Sequence, residues 1–367
     1  MKVPFMSFSK MHDELRSEFQ DAFDQVLDSN YFILGKQLEK FESEYATFNN
    51  TKYAIGVGNG LDALVLSLKA MNIGNGDEVI VPANTFIATF LAVLQVGAIP
   101  IPIEPEEDTF NINVSNIEDA ITIKTKAIIP VHLYGQACNM EDLLLVANKF
   151  NLKVIEDNAQ SQGSTFNNKF TGEFGDTGCT SFYPGKNVGA LGDGGAITTN
   201  SIKLTNKIKE LRNYGSSEKY IHNSIGINSR LDELQAAFLN KKLKRIPKWN
   251  IERGRIANLY IKGLQGNPNI SLPVTAKGAT HVYHLFVIKC DRRTQLQSFL
   301  LENHITTLIH YPIPPHLQKG LKHLNYNLGD FPITEKLSNT CLSLPLYIGL
   351  TDEKIKYICS KINEFFK

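Results

Sequence analysis

The stretch YAIGVGNGLDALVLSLKAM, residues 53–71, decides the fold because it joins a strand, a turn and a helix in direct succession. The short apolar run at its start favours a strand, and the apolar residues at helical spacing at its end favour an amphipathic helix. Gly56, Gly58 and Gly60 lie between the two and predict a sharp turn with free backbone N–H groups. Such a helix N-terminus suits a phosphate group. The G-x-G-x-G spacing is not the dinucleotide fingerprint, and a tight turn without a ligand is the alternative.

Similar strand-like runs alternate with helical patterns from residue 50 to residue 200. The runs are YAIGV, DEVIVP, AIPIPI, KAIIPVHLY, KVIED, GCTSFYP and GGAITT. This alternation predicts an α/β fold with a mostly parallel sheet that is covered by helices on both faces. Ligands in such folds collect at the carboxyl ends of the strands. Polar residues that directly follow these runs are therefore the candidates for a functional site.

The pattern changes after about residue 245. Before that point, SRLDELQAAFLNKKLKRIPKWN predicts a helix that opens with a capping box at Ser229 and Asp232 and is ended or kinked by Pro247. Beyond it we expect a helix over 256–264, a strand in HVYHLFVIKC and a helix over 293–303. These features predict a large domain over 1–245 and a smaller α+β domain over 246–367. The N-terminal helix is expected to pack with the smaller domain.

Composition and charge exclude several classes of protein. Lysine and arginine number 38 against 37 for aspartate and glutamate, so the net charge of +1 provides no surface for nucleic acid or anionic membranes. The five cysteines include no C-x-x-C pair, and we expect reduced thiols and no metal site. No apolar run reaches the roughly 18 residues needed to span a bilayer. We therefore expect a soluble, cytoplasmic protein.

One lysine stands in unusual surroundings. Lys186 lies in SFYPGKNVGALGDGG, residues 181–195, directly after a predicted strand and before a run of glycines. Asp157 ends the preceding strand-like run, in KVIEDNAQSQG. If the two strands are neighbours, both side chains point into one pocket. The alternatives are a surface lysine and a carboxylate that caps the following segment. The glycines at 189, 192, 194 and 195 are interpreted as room for the loop to pass close to a ligand.

These residue types match the needs of pyridoxal phosphate. This cofactor needs a lysine to bond covalently with its aldehyde, a carboxylate beside its pyridine nitrogen, a cup for its phosphate and a flat group over its ring. Lys186 and Asp157 supply the first two. The cup candidates are Gly58, Asn59, Gly60, Leu61 and Ser181. Phe86 is the candidate stacking ring, with a core phenylalanine as the alternative, and Gln160 is a candidate partner for the ring hydroxyl.

Several motifs together resemble the pyridoxal-phosphate-dependent sugar aminotransferases of the DegT/DnrJ/EryC1 family. In the family's order they are YFILGKQLEKFESEYA, GVGNGLDALVLSL, GDEVIVPANTFIAT, PVHLYGQ, VIEDNAQ, SFYPGKNVGALGDGGAITT, LRNYGS, INSRLDELQAA and HYPIPPHLQ. The resemblance implies the aspartate-aminotransferase fold, which is fold type I, and the site roles given above. It also implies a homodimer with active sites at the interface, where Asn228 reaches the phosphate bound by the neighbouring subunit.

The resemblance further implies the reaction. L-Glutamate donates an amino group, and the Gln160 form of the motif resembles enzymes that aminate C3 of a dTDP-linked 6-deoxy-3-keto-hexose. The galacto product is favoured over the gluco product, and the amino sugar serves surface glycans or glycosides. Candidate substrate contacts are Gln162, Tyr183, Tyr214, His310 and Tyr311. Related sequences carry histidine at the position of Gln162, which leaves the contact to the sugar open.

Three other functions stay open from the sequence. A C4-aminotransferase acting on a UDP- or GDP-linked 4-keto sugar needs the same cofactor residues. An oxidoreductase could bind a dinucleotide at Gly56–Gly60, although this leaves Lys186 unexplained. A regulatory or binding protein could retain the fold without catalysis, although intact Lys186 and Asp157 argue against it.

Overall fold

Eleven helices and thirteen strands make up the computed structural model, which describes all residues from 1 to 367. The helices are α1 (Ser9–Ser29), α2 (Lys36–Phe48), α3 (Gly60–Ala70), α4 (Ala88–Gln95), α5 (Met140–Lys149), α6 (Ile202–Leu211), α7 (Glu233–Leu243), α8 (Ile246–Leu264), α9 (Arg293–Glu302), α10 (Pro332–Thr340) and α11 (Asp352–Phe365). The strands are β1 (Tyr53–Val57), β2 (Glu78–Pro82), β3 (Ile99–Ile103), β4 (Thr125–Ile128), β5 (Lys153–Asp157), β6 (Thr165–Phe166), β7 (Lys169–Phe170), β8 (Thr177–Ser181), β9 (Gly195–Thr199), β10 (Ser216–Glu218), β11 (Ile221–His222), β12 (Phe286–Lys289) and β13 (Cys341–Leu344). No helix has the length and apolar character to cross a membrane.

Seven strands form one sheet in the order β1-β9-β8-β5-β4-β2-β3. All neighbours from β3 to β8 are parallel, and β9 runs antiparallel to both β8 and β1. Strands β1, β5 and β8 consequently run in the same direction. Their carboxyl ends meet at one edge of the sheet, as the predicted mostly parallel sheet requires.

Both faces of the sheet are buried under helices. Successive residues of a strand point to opposite faces, and β2 shows the result. Val79 and Val81 pack in the core cluster that contains residues of α3 and α4, whereas Ile80 packs in the cluster that contains residues of α5. The strand is apolar on both faces for this reason, which confirms the predicted α/β arrangement.

A second apolar core lies in the carboxyl-terminal part of the chain. Helices α8, α9 and α11 pack there with the antiparallel pair β12 and β13. Helix α8 reaches both cores, because Trp249 packs beside α7 and Tyr260 packs beside β12. Pro247 lies in the first turn of α8 and separates it from α7, as expected. The division of the chain at residue 245 stays a prediction.

Helix α1 packs differently from what we expected. Its main neighbour is α7, and Met11 and Leu15 belong to a core cluster with Leu239. Only the segment before the helix joins the carboxyl-terminal core, where the backbone of Val3 pairs with Ile305. The apolar spacing in α1 predicted a buried face correctly, but nothing in that spacing indicates which partner covers the face.

The prediction of a capping box at the start of α7 is wrong. The N-cap residue is Asp232, whose side chain makes no capping hydrogen bond. Ser229 lies three residues before this N-cap, and its Oγ instead accepts the N–H of Gly58 at 2.9 Å. The buried Glu233 serves another helix, because its carboxylate accepts the N–H groups of Gly35, Gln37 and Leu38 at the start of α2, each at 2.9 Å.

Replacing this carboxylate should destabilise the protein. Glu233→Ala leaves the three N–H groups without their charged acceptor, and we expect the free energy of unfolding to fall by about 3 kcal/mol. Urea denaturation followed by circular dichroism measures the change. Asp232→Ala removes the exposed neighbouring carboxylate and should change the value by less than about 0.5 kcal/mol. Equal losses in the two variants would contradict this account.

Candidate active site

The predicted site residues meet at the carboxyl edge of the sheet. Asp157 ends β5 and Ser181 ends the neighbouring strand β8, with Asp157 paired to Cys179 in register. Lys186 follows β8 in the loop that leads to β9. The turn after β1 reaches the same edge, because Gly60 lies directly against Ser181. The expectation that neighbouring strands bring Lys186 and Asp157 together is supported by this topology, and their charges affect each other.

The turn after β1 retains two free backbone donors. Asn59 caps α3 by accepting the N–H of Asp62 at 2.8 Å, and the N–H of Gly58 is bonded to Ser229. The N–H groups of Gly60 and Leu61 have no acceptor within the chain. A Cβ at position 60 would lie 2.6 Å from the Cβ of Ser181, so only glycine allows this approach. The two free N–H groups, the helix dipole and the Ser181 hydroxyl together fit an anionic phosphate.

Asp157 is held from two sides. Its Oδ1 accepts the N–H of Ala159 at 3.2 Å, and its Oδ2 accepts the hydroxyl of Thr89 at 3.3 Å. Burial raises the pKa of Asp157, while the Ala159 N–H, the charge of Lys186 and the Thr89 hydroxyl oppose the rise. Thr89 is fully buried and is itself bonded to the hydroxyl of Thr85 at 2.9 Å. The carboxylate is therefore oriented by the fold, not by solvent.

A second carboxylate, Glu156, supports the end of β5 from behind. It is fully buried and accepts the N–H groups of Gly172, Phe174 and Gly175, each at 2.8 Å. His132 Nε2 lies 3.0 Å from the same carboxylate, and the backbone N–H of His132 donates to Asp157 O at 3.1 Å. The two adjacent carboxylates therefore differ in role. Asp157 faces the candidate site, and Glu156 holds the end of β5 in place.

Lys186 has an amine without a hydrogen-bond or ion-pair partner. Burial lowers the pKa of Lys186 to about 8, and the charge of Asp157 opposes that change. With this pKa, far more of the lysine is present at neutral pH as the free amine, the nucleophilic form, than for an ordinary lysine. The alternative of a solvated surface lysine does not fit this environment.

The residues around the pocket form a connected set. Gln160 Oε1 accepts the N–H of Tyr134 at 2.6 Å, and its Nε2 donates to the hydroxyl of Tyr311 at 3.2 Å. The ring of Tyr311 lies 5.3 Å from the ring of Phe86. Phe86 is 51% exposed, so it is not a core phenylalanine. Its ring is available to cover a flat ligand, and its role as the stacking ring stays a prediction.

The candidate sugar contacts differ in their environments. Tyr183 and Tyr214 are exposed, and Tyr214 lies beside the guanidinium of Arg230. His310 Nδ1 lies 2.8 Å from Ser343 Oγ, and burial together with the charge of Lys186 lowers the pKa of His310 to about 4. His310 is therefore a neutral imidazole at pH 7. Tyr311 is bonded to Gln160 and so borders the cofactor candidates.

Gln162 is not placed for substrate binding. It is fully buried, and its amide nitrogen donates to the carbonyl oxygens of Ala159 and Ser181 at 3.2 and 3.1 Å. It thereby ties the turn after β5 to the end of β8. The predicted contact with a sugar is wrong because the turn at Gly163 directs residue 162 into the protein.

The glycines after Lys186 also serve the protein itself. A Cβ at Gly189 would lie 2.2 Å from Pro184 O, and one at Gly195 would lie 2.5 Å from Asn59 O. The interpretation that these glycines make room for a ligand is therefore wrong at both positions. They allow the lysine loop to pack against its own backbone and against the start of α3.

Some site residues were not identified from the sequence. Thr89 and Tyr134 contact Asp157 and Gln160 directly, and Ser229 occupies one N–H of the phosphate turn. Thr89 is the last residue of the motif VPANTFIAT, whose position after a strand was a usable signal. The role of Tyr134 depends on its backbone N–H, which no side-chain pattern indicates. Asn228 is exposed, and its side chain makes no hydrogen bond within its own chain.

The profile of the DegT/DnrJ/EryC1/StrS aminotransferase family matches residues 13–363. The chain belongs to this aminotransferase family. The dTDP-3-amino-3,6-dideoxy-alpha-D-galactopyranose transaminase of Aneurinibacillus thermoaerophilus is 47% identical to it over 99% of this chain and 99% of the relative.

Two crystal structures of aminotransferase relatives superpose on the whole chain. DesV of S. venezuelae has a TM-score of 0.98 and 42% identity, and the match covers 100% of this chain and 99% of DesV. NtdA from Bacillus subtilis with bound cofactor PMP has a TM-score of 0.92 and 34% identity, covering 100% of this chain and 85% of NtdA. The predicted aminotransferase fold, enzyme class and pyridoxal phosphate cofactor are confirmed. The free donors of the phosphate turn, the unpaired amine and the oriented carboxylate fit that cofactor.

The stability of the cofactor-free aminotransferase should reveal the cost of burying Lys186. Folding lowers the pKa of Lys186 from 10.5 to about 8. As the pH falls from 10.5 to 8, the unfolded chain takes up a proton that the folded chain does not, and stability decreases. Lys186→Met should therefore raise the free energy of unfolding at pH 7 by on the order of 2 kcal/mol.

Urea denaturation of the cofactor-free protein at pH 7 and at pH 10.5 tests this. The increase in the free energy of unfolding caused by Lys186→Met should be smaller at pH 10.5, because the lysine of the unfolded chain is losing its charge at that pH. Lys203→Met, at an exposed lysine, is the control and should show no gain at either pH. A gain from Lys186→Met that is the same at both pH values would contradict the assignment.

Proposed function

We propose that this aminotransferase transfers the amino group of L-glutamate to C3 of a dTDP-linked 6-deoxy-3-keto-hexose. The proposal is carried by the 47% identity, over nearly the full length of both chains, to a dTDP-3-amino-3,6-dideoxy-galactopyranose transaminase. The galacto product is proposed over the gluco product on the same basis. The product would be an amino sugar for surface glycans or glycosides. All five cysteines are buried free thiols, which suits a cytoplasmic location.

The proposed cofactor contacts follow from the free groups at the sheet edge. The N–H groups of Gly60 and Leu61 and the Ser181 hydroxyl bind the phosphate, with Gly58 and Asn59 shaping the turn. Bound pyridoxal phosphate supplies an electron-withdrawing ring that stabilises the negative charge left when a proton departs from the substrate. Phe86 is proposed to cover the ring, and Gln160 to bond its hydroxyl.

Two titratable residues carry the proposed chemistry. Asp157 is held at the pocket floor by Thr89 and Ala159, where its negative charge favours a protonated pyridine nitrogen. Lys186 Nζ is the covalent anchor and, once released, the base that accepts and returns a proton. The lowered pKa of Lys186 suits both tasks, because the free amine is available near neutral pH.

The sugar is proposed to lie between the cofactor and the side chains of Tyr183, Tyr214, His310 and Tyr311. The neutral state of His310 matters, because its Nε2 is then able to donate or accept one hydrogen bond without adding a charge. Exposed tyrosines offer hydroxyl donors and flat apolar faces, which suit a hexose ring.

We also propose a homodimer in which Asn228 reaches the cofactor phosphate of the neighbouring subunit. Asn228 is exposed and follows a loop with large exposed apolar side chains. Tyr220 is 82% exposed and Ile225 is 90% exposed. Side chains of this kind favour burial against a partner.

Replacement of Lys186 tests the assignment of the reaction. Lys186→Ala should abolish amino transfer, because both the anchor and the proton carrier are lost, and should remove the covalent cofactor label at residue 186 after borohydride reduction. The parent and the variant are incubated with glutamate and a panel of nucleotide keto sugars. NMR of the product locates the nitrogen and its stereochemistry.

The product decides between the alternatives. Nitrogen at C3 of a dTDP sugar supports the proposal, and nitrogen at C4 of a UDP or GDP sugar replaces it. Absence of transfer to every sugar, in a parent that retains bound cofactor, indicates a regulatory protein. Full transfer by Lys186→Ala would refute the role of that lysine.

Mixing two inactive variants tests the shared site. Asn228→Asp places a carboxylate beside the proposed phosphate, and at a cofactor concentration that just saturates the parent it should leave the site without cofactor and inactive. In a hybrid with Lys186→Ala, one site contains both defects and the other contains neither. Refolding an equal mixture should therefore restore about a quarter of the parent activity. If Asn228 serves its own subunit, every site of the hybrid is defective and no activity returns.

A further inference from the structure

The loop that carries Lys186 is closed on itself between β8 and β9. The backbone N–H of Phe182 donates to Gly194 O at 2.7 Å, and the N–H of Ala190 donates to Phe182 O at 2.7 Å. The backbone N–H of Lys186 donates to Tyr183 O at 2.8 Å. These bonds define the path of the loop but do not attach it to the neighbouring helix.

Two side chains of α7 make that attachment. Gln235 Oε1 accepts the N–H of Leu191 at 2.8 Å, and Lys242 Nζ donates to Gly189 O at 2.6 Å. Residues seven positions apart lie on the same face of a helix, two turns from each other. Helix α7 thus contacts the loop at two successive points on the side that follows Lys186.

A buried lysine such as Lys242 is unusual at a contact that is purely structural. The residue is 1% exposed, its ammonium has no carboxylate partner within 4 Å, and the ring of Phe19 lies 5.7 Å from Nζ. Burial lowers the pKa of Lys242 to about 8. An unpaired buried ammonium opposes folding, and an apolar side chain of similar length would avoid that cost.

The carbonyl that Lys242 binds is coupled to the start of the loop. Gly189 packs so closely against Pro184 that a Cβ would lie 2.2 Å from Pro184 O. Pro184 precedes Lys186 by two residues. A displacement of Gly189 therefore shifts the backbone on both sides of Lys186.

We propose that Lys242 and Gln235 are positioning residues that hold the backbone following Lys186 and, through the contact between Gly189 and Pro184, also restrain the backbone preceding it, and thereby set the location of its amine. This inference rests on the proposed role of Lys186 as the covalent anchor. Neither side chain touches the reacting groups. Their removal should therefore affect the rate of chemistry and of cofactor capture more than the binding of substrate.

Lys242→Met and Gln235→Leu test the inference, with Lys241→Met as the matched control on the same helix. Two properties are measured for each full-length protein. The first is kcat and KM for glutamate in the holoenzyme. The second is the rate at which cofactor-free protein acquires a borohydride-trapped pyridoxal phosphate label on the peptide that contains Lys186, quantified by mass spectrometry.

We expect Lys242→Met to lower kcat and the capture rate by about tenfold, with KM changed less than about twofold. Gln235→Leu should shift both rates in the same direction, and Lys241→Met should match the parent. Thermal denaturation should show comparable stability for Lys242→Met, because loss of the unpaired charge offsets loss of its bond.

Parent values of kcat and capture rate in folded Lys242→Met and Gln235→Leu would overturn the inference. Equal rate losses in Lys241→Met would also overturn it. If Lys242→Met does not fold, Gln235→Leu decides, since it alters a half-buried neutral contact. Failure of the parent itself to acquire the label at Lys186 would instead refute the proposed anchor.

Discussion

The partial burial of two opposite charges, Asp157 and Lys186, at one edge of the sheet is the constraint on which the rest of the site depends. Desolvation raises the pKa of Asp157 and lowers the pKa of Lys186, so each group tends toward its neutral form. Each also favours the charged form of the other. The hydroxyl of Thr89 and the N–H of Ala159 add to the stabilisation of the carboxylate, whereas the amine has no hydrogen bond. The result is a fixed anion beside an available nucleophile.

Close backbone contacts make this arrangement possible. The start of α3 lies against the end of β8 at Gly60 and against the start of β9 at Gly195, where a Cβ would approach Asn59 O to 2.5 Å. These contacts bring the free N–H groups of the helix close to Ser181. Side chains at either glycine would separate the phosphate turn from the lysine loop. The geometry of the site therefore requires this close packing of the backbone.

The sequence was most informative where chemistry depends on side-chain type and strand order. Asp157 ends β5 and Lys186 follows the neighbouring β8, so a parallel arrangement suffices to place them at one edge. The glycines after β1 predict the phosphate turn. Predictions from residue spacing were wrong where backbone hydrogen bonds or packing between distant segments determine the position of a side chain. Ser229 resembled a helix cap, but its hydroxyl accepts the N–H of Gly58 instead. Gln162 was predicted to contact the sugar, but the side chain is buried where the chain turns at Gly163. The packing of α1 on α7 depends on contacts between distant segments, which its own apolar face does not specify.

Three titratable groups in this region have no ion-pair partner: Lys242 is buried, and Asp157 and Lys186 are half-buried. Desolvation shifts the pKa of each in the direction that favours its neutral form. Their cost to stability is offset by the large apolar cores on both faces of the sheet and in the carboxyl-terminal part of the chain. For Asp157 and Lys186, the proposed roles give each a partner on the bound cofactor that the chain lacks. Lys242 differs, because its partner is a carbonyl of the loop that bears Lys186. The charge of Lys242 therefore has no ionic partner even when the cofactor is bound, and burying it weakens the fold. Its hydrogen bond to Gly189 O, which restrains the loop that bears Lys186, explains why it is there.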